Sequence, residues 1–339
     1  MSSIIEMPEF VLEKIIGFSN FKDVLTLRQV CRDFRNFIDD LKDSKLPDSN
    51  FKEMEIVSKK DENKIVFAFA DFGGTIYRIE YSEFGNSRNF QETWKIFENS
   101  NIVDVAIRDL ELVLRFQKSK LYRIYFDVND FQLSPDSSIY KLSVKLSNLC
   151  IRINRKIKTE QLYLKKCNQS QIMKFIQFTD PEALEKLSFF ADDDDIDDRI
   201  EIEIDDIAKT EQWKKAEEFK CDFQVLNLDA RDICHFTSMS IKTHSISASD
   251  LEFLKKTFIN SSTFVYAFFE LTIFNGNEII SNLWGPAFIT ELSRNWYFRI
   301  KDLEDEVLHI EIRQNFINFH VFEWRYVLTG ARVQDYNES

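Results

Sequence analysis

The pattern of apolar and polar positions changes period twice along the chain. Residues 7–41, MPEFVLEKIIGFSNFKDVLTLRQVCRDFRNFIDDL, follow a helical period. Leu12, Ile15 and Ile16 fall three and four apart and form one apolar stripe. Pro8 and Glu9 suit the first turn, where a missing N–H costs nothing and a carboxylate meets the positive end of the helix dipole. Ser19 or Asn20 can cap a short second helix that carries Phe21, Val24 and Leu25. A third helix is expected from Leu27 to Leu41. There Leu27, Val30, Cys31, Phe34, Phe37, Ile38 and Leu41 recur at steps of three and four, while Arg28, Arg32, Asp33 and Arg35 take the other face. Three helices this short bury little surface by themselves and need an outside partner to complete their core.

Residues 42–50, KDSKLPDSN, read as a linker, and the period then drops to two. Strands are expected in FKEMEIVS, KIVFAFADF, TIYRIEYS, LELVLRFQ and KLYRIYFDV, with Gly73-Gly74 as a hairpin turn. NFQETWKIFENS (89–100) is read as a helix over one face. Beyond residue 160 short strands and helices alternate. LYLKKC, LEKLSFF, FQVLNL, SMSIKTHSI and FFELTIFN are strand-like. QSQIMKFIQF, DDIAKTEQWKKAEEF and SASDLEFLKKTFINS are helical, the last capped by Ser247 or Ser249. The spacing fits leucine-rich-like repeats loosely, with only Cys167 and Asn275 near the positions of the usual Cys or Asn. Residues 294–324 read as three antiparallel strands that close the end of the repeats.

The expected fold class is therefore mixed α+β and α/β. It begins with a small three-helix unit over 1–47 and a β-rich connecting region over 48–135. A loose β/α repeat solenoid over 136–290 and terminal strands over 291–339 follow.

Composition narrows the chemistry. The net charge of −13 repels phosphate backbones and anionic lipid, so neither nucleic acid nor a membrane is expected as a partner. Only seven glycines are present, and no glycine-rich phosphate loop, GxSxG or HExxH motif occurs. No cofactor, metal or catalytic residue is assigned. The five cysteines, Cys31, Cys150, Cys167, Cys221 and Cys234, form no CxxC and read as small buried hydrophobes in a reducing compartment. With no leader-like amino end, a cytoplasmic or nuclear location is expected. The acidic run 191–206 lacks the sixth-position glycine of a calcium loop and reads as a solvated loop or a steering patch for a basic partner. Tyr77, Tyr81, Trp94, Trp284, Trp296, Tyr297, Trp324 and Tyr326 divide between core filler and interface anchors.

The order Pro8, Leu12, Ile15, Ile16, Leu25, Leu27, Arg28, Val30, Cys31, Phe34 resembles an F-box. Met7 stands in for the usual opening leucine and Phe34 for a frequent tryptophan. The runs EQLYLKKC, EQWKKAEEF and DLEFLKKTFINSS, behind such a segment, resemble the FTH-type domain of a large nematode F-box family. The resemblance implies a non-catalytic substrate receptor. Its N-terminal helices would dock on the Skp-family adaptor of a cullin–RING ubiquitin ligase, and its repeats would hold an unknown target protein. A protein-interaction scaffold that does not promote degradation is the alternative. The adaptor-binding residues implied are Met7, Pro8, Leu12, Ile15, Ile16, Leu25, Leu27, Val30, Cys31 and Phe34. Burying about eight such side chains supplies roughly 12–24 kcal/mol gross, against ~4–15 kcal/mol for association. This reading expects the apolar ridge to lie bare in the free chain.

Overall fold

Three short helices open the first of two units, which spans Met1–Glu160; the second spans Gln161–Ser339. The structure, a computed structural model, describes residues 4–59, 62–128, 138–153, 155–191 and 201–335. Helix α1 is Glu9–Phe18, α2 is Phe21–Val30 and α3 is Arg32–Asp40. The Ser19 hydroxyl donates to the Ile15 carbonyl (2.8 Å) and closes α1. The Asn20 side chain accepts from the Asp23 N–H (2.9 Å) and starts α2, as expected.

The single helix expected over 27–41 is instead two. Cys31 has an extended backbone (φ −155°, ψ 168°), and its Sγ accepts from the Phe34 N–H at 3.5 Å, capping α3. Periodicity misleads here because steps of three and four continue across the one-residue break. Arg28 then grips Asp39 through two hydrogen bonds (2.7 and 2.9 Å), tying α2 to α3. Ile16, Val24, Ile38, Leu41 and Leu46 form a core that is closed by Phe116.

Strands β1 (Phe51–Lys59), β2 (Lys64–Asp71), β3 (Ile76–Ser82), β4 (Ser87–Phe90), β5 (Thr93–Ile96) and β6 (Leu121–Asp127) complete this unit with helices α4 (Ile102–Phe116) and α5 (Ser138–Ile153). β1 to β5 pair antiparallel in sequence order, and β6 pairs parallel to β1. Gly74 (φ +81°) makes the β2–β3 turn, as the Gly-Gly pair predicts.

Two expectations fail in this unit. Residues 89–100 form most of the β4–β5 hairpin rather than a helix. LELVLRFQ lies mostly in α4 rather than in a strand. Its alternation is local. The helical stripe becomes visible only with Ile102, Val103, Ala106 and Ile107, behind the Asn101 cap, whose side chain accepts from the Val103 N–H (2.9 Å).

In the second unit, β7 (Thr159–Lys165, beginning at the unit boundary), α6 (Gln169–Phe178), β8 (Lys186–Phe190), β9 (Glu201–Ile202), α7 (Asp205–Ala208), α8 (Glu211–Lys215), β10 (Glu218–Val225), α9 (Ala230–Ile233), β11 (Ser238–Thr243), α10 (Ala248–Ile259) and β12 (Tyr266–Leu271) follow in order. The long helix expected over 205–219 is thus two short ones, because Thr210 caps α8 through its side chain. β7, β8, β10, β11 and β12 pair parallel, each with the next, and β9 extends along the far end of β10. Two registers run across the sheet as buried rows. One is Leu162, Leu187, Phe219, Met239 and Ala267. The other is Leu164, Phe189, Cys221, Ile241 and Phe269. Each is an alternate position of its strand, so one sheet face becomes the core.

After α11 (Asn277–Trp284) come β13 (Phe288–Ile289), β14 (Arg294–Ile300), β15 (Leu303–Ile312), β16 (Phe316–Glu323) and β17 (Val333–Gln334). β14, β15 and β16 are the three antiparallel strands expected, and β16 pairs antiparallel with β12.

Candidate docking surface

The ten residues of the amino-terminal motif do not share one environment. Leu12 (4% exposed), Ile16 (1%) and Phe34 (3%) are buried in the bundle's own interior. Ile15, Leu25 and Leu27 are half-buried, and Leu27 packs on the core around Ile16 and Phe116. Met7, Pro8, Val30 and Cys31 are exposed. The expectation of a wholly bare ridge is therefore not met. The i, i+4 stripe of Leu12 and Ile16 marks the face that the chain covers with its own residues. Cys31, expected to be explained by packing, lies exposed at the helix break. Of the other cysteines, Cys167 and Cys221 are buried, and burial pushes the Cys221 thiol up to about 12.

Apolar exposure is concentrated elsewhere on α1. Phe18 is 87% exposed and Phe10 65%, and Val11 is exposed beside them. Val11 and Phe18 are two turns apart and share one side of the helix, away from Leu12 and Ile16. Lys14 lies over the Phe10 ring at 5.5 Å and covers part of it with its stem. Sequence reasoning missed these three residues by following a single stripe. The available signal was that EFVLEKIIGF is apolar on nearly every side, which a helix with only one covered face does not need.

The second unit offers a contrasting surface. The half-buried Tyr163, Lys220, Ser240, Phe268 and Asn318, with the fully buried Ser188, stand in one register across β7, β8, β10, β11, β12 and β16, on the face opposite the core rows. Neighbouring rings reinforce this face. Tyr163 meets Phe190 at 5.5 Å, Phe268 meets Phe316 at 5.4 Å, and Lys220 lies over Phe190 at 4.9 Å. Its charges are paired locally, Lys186 with Glu218 and Lys242 with Glu270. Of the aromatics singled out in the sequence, Tyr81, Trp284, Trp296 and Tyr297 are core, whereas Trp94, Trp324 and Tyr326 are exposed.

Among the described residues, no group of three or more His, Cys, Asp or Glu is arranged to hold a metal ion, and no helix is long and apolar enough to cross a membrane. Most of the acidic run, residues 192–200, lies outside the described residues.

Comparison with known proteins defines the class that these two surfaces belong to. A model of the F-box domain matches residues 4–46, and a model of the FTH domain matches residues 144–283. The chain thus carries an F-box domain in its amino-terminal helices and an FTH domain behind them. It is similar to F-box A protein 224 of Caenorhabditis elegans, with 21% identity over 306 residues, covering 87% of this chain and 73% of that protein. No solved structure matches it.

Proposed function

We propose that this chain is the substrate-recruiting subunit of a cullin–RING ubiquitin ligase, working in the cytoplasm or nucleus. Its amino-terminal helices dock on a Skp-family adaptor, and the adaptor links it to a cullin. The observation that carries the reading is the match of residues 4–46 to the F-box domain, together with the exposed Phe10, Val11 and Phe18 on α1 of that same segment. Exposed aromatics this large on a small bundle favour a partner groove that takes helical side chains. Of the residues implied by the family resemblance, Met7, Pro8, Val30 and Cys31 are available to that groove. Leu12, Ile16 and Phe34 act by holding the bundle in shape.

We read β7 to β12 with their helices as a short leucine-rich-like solenoid. Its open face, bearing Tyr163, Lys220 and Phe268, holds the target protein. The chain itself performs no chemistry in this scheme. It raises the local concentration of the target at the ligase. A scaffold that binds the same partners without promoting degradation differs only in the fate of the bound protein, so partner half-lives with and without proteasome inhibition separate the two.

The test is capture of a purified Skp-family adaptor by the full chain. Val11→Asp with Phe18→Asp places two carboxylates in the apolar contact, and capture is expected to fall at least tenfold while the melting temperature holds. Undiminished capture by that double variant overturns the docking assignment.

A further inference from the structure

A cavity of about 350 Å³ opens in the second unit between α10, α11 and the β14–β17 edge. Its inner wall is buried: Lys255, Ile259, Trp284 and Phe298. Its rim carries Lys256, Asn260, Asn282, Leu283 and Arg332. Gly285, at φ +73°, turns the chain at the end of α11, which lets the Trp296 indole donate to its carbonyl (3.0 Å) and Gln334 donate to the Trp284 carbonyl (2.6 Å). The wall is therefore fixed by hydrogen bonds on both sides of Trp284.

The charge of this cavity runs against that of the chain. One carboxylate, Glu252, accepts from Lys255 (3.0 Å), Lys256 (3.1 Å) and the Trp284 indole N–H (2.5 Å). Two ammonium groups share one carboxylate, so the cluster holds an excess positive charge. Asp335, the acidic group on the lining, is paired with Arg299 at 2.9 Å. Lys255 has a side chain only 2% exposed and lies 5.6 Å from the Trp284 ring and 4.8 Å from the Phe298 ring. Burial holds its ammonium below the ordinary lysine range, with Glu252 opposing that effect. A cation kept in such a place is stabilised by any anion that enters the cavity. Next to the cavity, Ile279 and Leu283 are exposed one turn apart on α11, which makes an apolar step beside the charged opening.

We propose that this cavity binds an oxyanion, a phosphoryl or carboxylate group, carried by a peptide segment with an apolar residue that rests on Ile279 and Leu283. The volume suits such a group and one neighbouring side chain. Attributing that peptide to a target protein rests on the function proposed above; the binding of the oxyanion does not.

Titration of the full chain with inorganic phosphate, and separately with acetate, at constant ionic strength tests it. Trp284 lines the cavity, so tryptophan fluorescence reports occupancy. A saturable change with phosphate or acetate is expected, weakened at least tenfold in Lys256→Glu with Arg332→Glu. Both substituted residues are exposed, so folding should survive, and circular dichroism checks this. Phosphate binding more tightly assigns a phosphorylated side chain, and acetate binding more tightly assigns a peptide carboxylate. Each source is then checked with a peptide that carries the group beside leucine. No saturable response to either ion, or equal affinity in the wild type and the charge-reversed variant, overturns the proposal. Neither adaptor nor target enters the assay, so failed docking by the amino-terminal helices leaves its outcome unaffected.

Discussion

Helices α1 and α6 are each ten residues long and rich in apolar side chains, yet they use them differently. In α6, Ile172, Phe175, Ile176 and Phe178 are all buried. In α1 only Leu12 and Ile16 are buried, and Phe10, Val11 and Phe18 stay in contact with solvent. α6 has covered most of its apolar side chains, although α10 and α11 leave Phe253, Ile279 and Leu283 exposed. The amino-terminal bundle buries just enough to hold together and leaves the rest uncovered. Apolar surface that folding does not use costs solubility, which makes Phe10, Val11 and Phe18 the residues to test for a partner.

The comparison implies that stability and binding are separable by position. The largest effect is expected in the second unit. Trp213 is 1% exposed, its indole donates to the Asp232 carbonyl (2.7 Å), and its ring sits 4.5 Å from Phe219 and 5.1 Å from Phe236. Trp213→Ala removes the ring and leaves a cavity, at a cost of about 3–5 kcal/mol. Denaturant unfolding should show this loss, and adaptor capture at low temperature should not change. If capture fell in step with stability, the two regions would not be functionally distinct.

How far this contrast was legible in the sequence depended on which neighbours had to be known. Alternation over β7, β8, β11 and β12 and periodicity over α6 and α10 were readable because each element needs only its own residues to declare one buried face. The end of α2 was not readable, because Cys31 leaves the helix without disturbing the spacing of Val30 and Phe34. The hairpin over 87–96 was missed for another reason. Its residues are largely exposed, so TWKI carries no burial pattern to read. At the proposed docking surface, periodicity located the amino-terminal helices but not which of their apolar residues stay exposed. Only contacts with Phe116 and Leu46, far along the chain, determine that Ile16 turns inward and Phe18 outward. The lysine-lined cavity was invisible for the same reason, since it joins residues from 255 to 335.

A smaller effect sharpens the contrast through pH. All four histidines lie between residues 235 and 320, and the amino-terminal helices have none. His309 is held between strands. Its Nε2 lies 2.9 Å from Asn295 Oδ1, its ring stacks on Tyr297 at 4.7 Å, and His320 faces it across β15–β16. Burial pulls its pKa from 6.5 to about 4, partly opposed by Glu311 and reinforced by His320. The fold therefore keeps the ring neutral, while the unfolded chain takes up a proton at higher pH. Stability from this site is complete above pH 6.5 and declines as pH falls toward about 4, by up to roughly 3 kcal/mol. His309→Gln should flatten that limb in denaturant titrations run at successive pH values. A wild-type profile that stays level from 6.5 down to 4 contradicts a buried neutral His309.

The smallest stability effect carries the most information about function. Phe18 is 87% exposed, at the last position of α1, so truncating it removes almost no buried area. Phe18→Ala is expected to change unfolding free energy by less than about 0.5 kcal/mol. If Phe18 enters an adaptor groove, the same truncation costs about 2 kcal/mol or more of binding, as aromatic anchors do. The two numbers come from one substitution, so a general loosening of the bundle cannot mimic the result. Loosening would move both, whereas a residue spared by folding and used by a partner moves only the second. A Phe18→Ala chain that melts early and binds weakly would place this ring within the fold. One that melts normally and binds weakly would mark it as surface held for another protein.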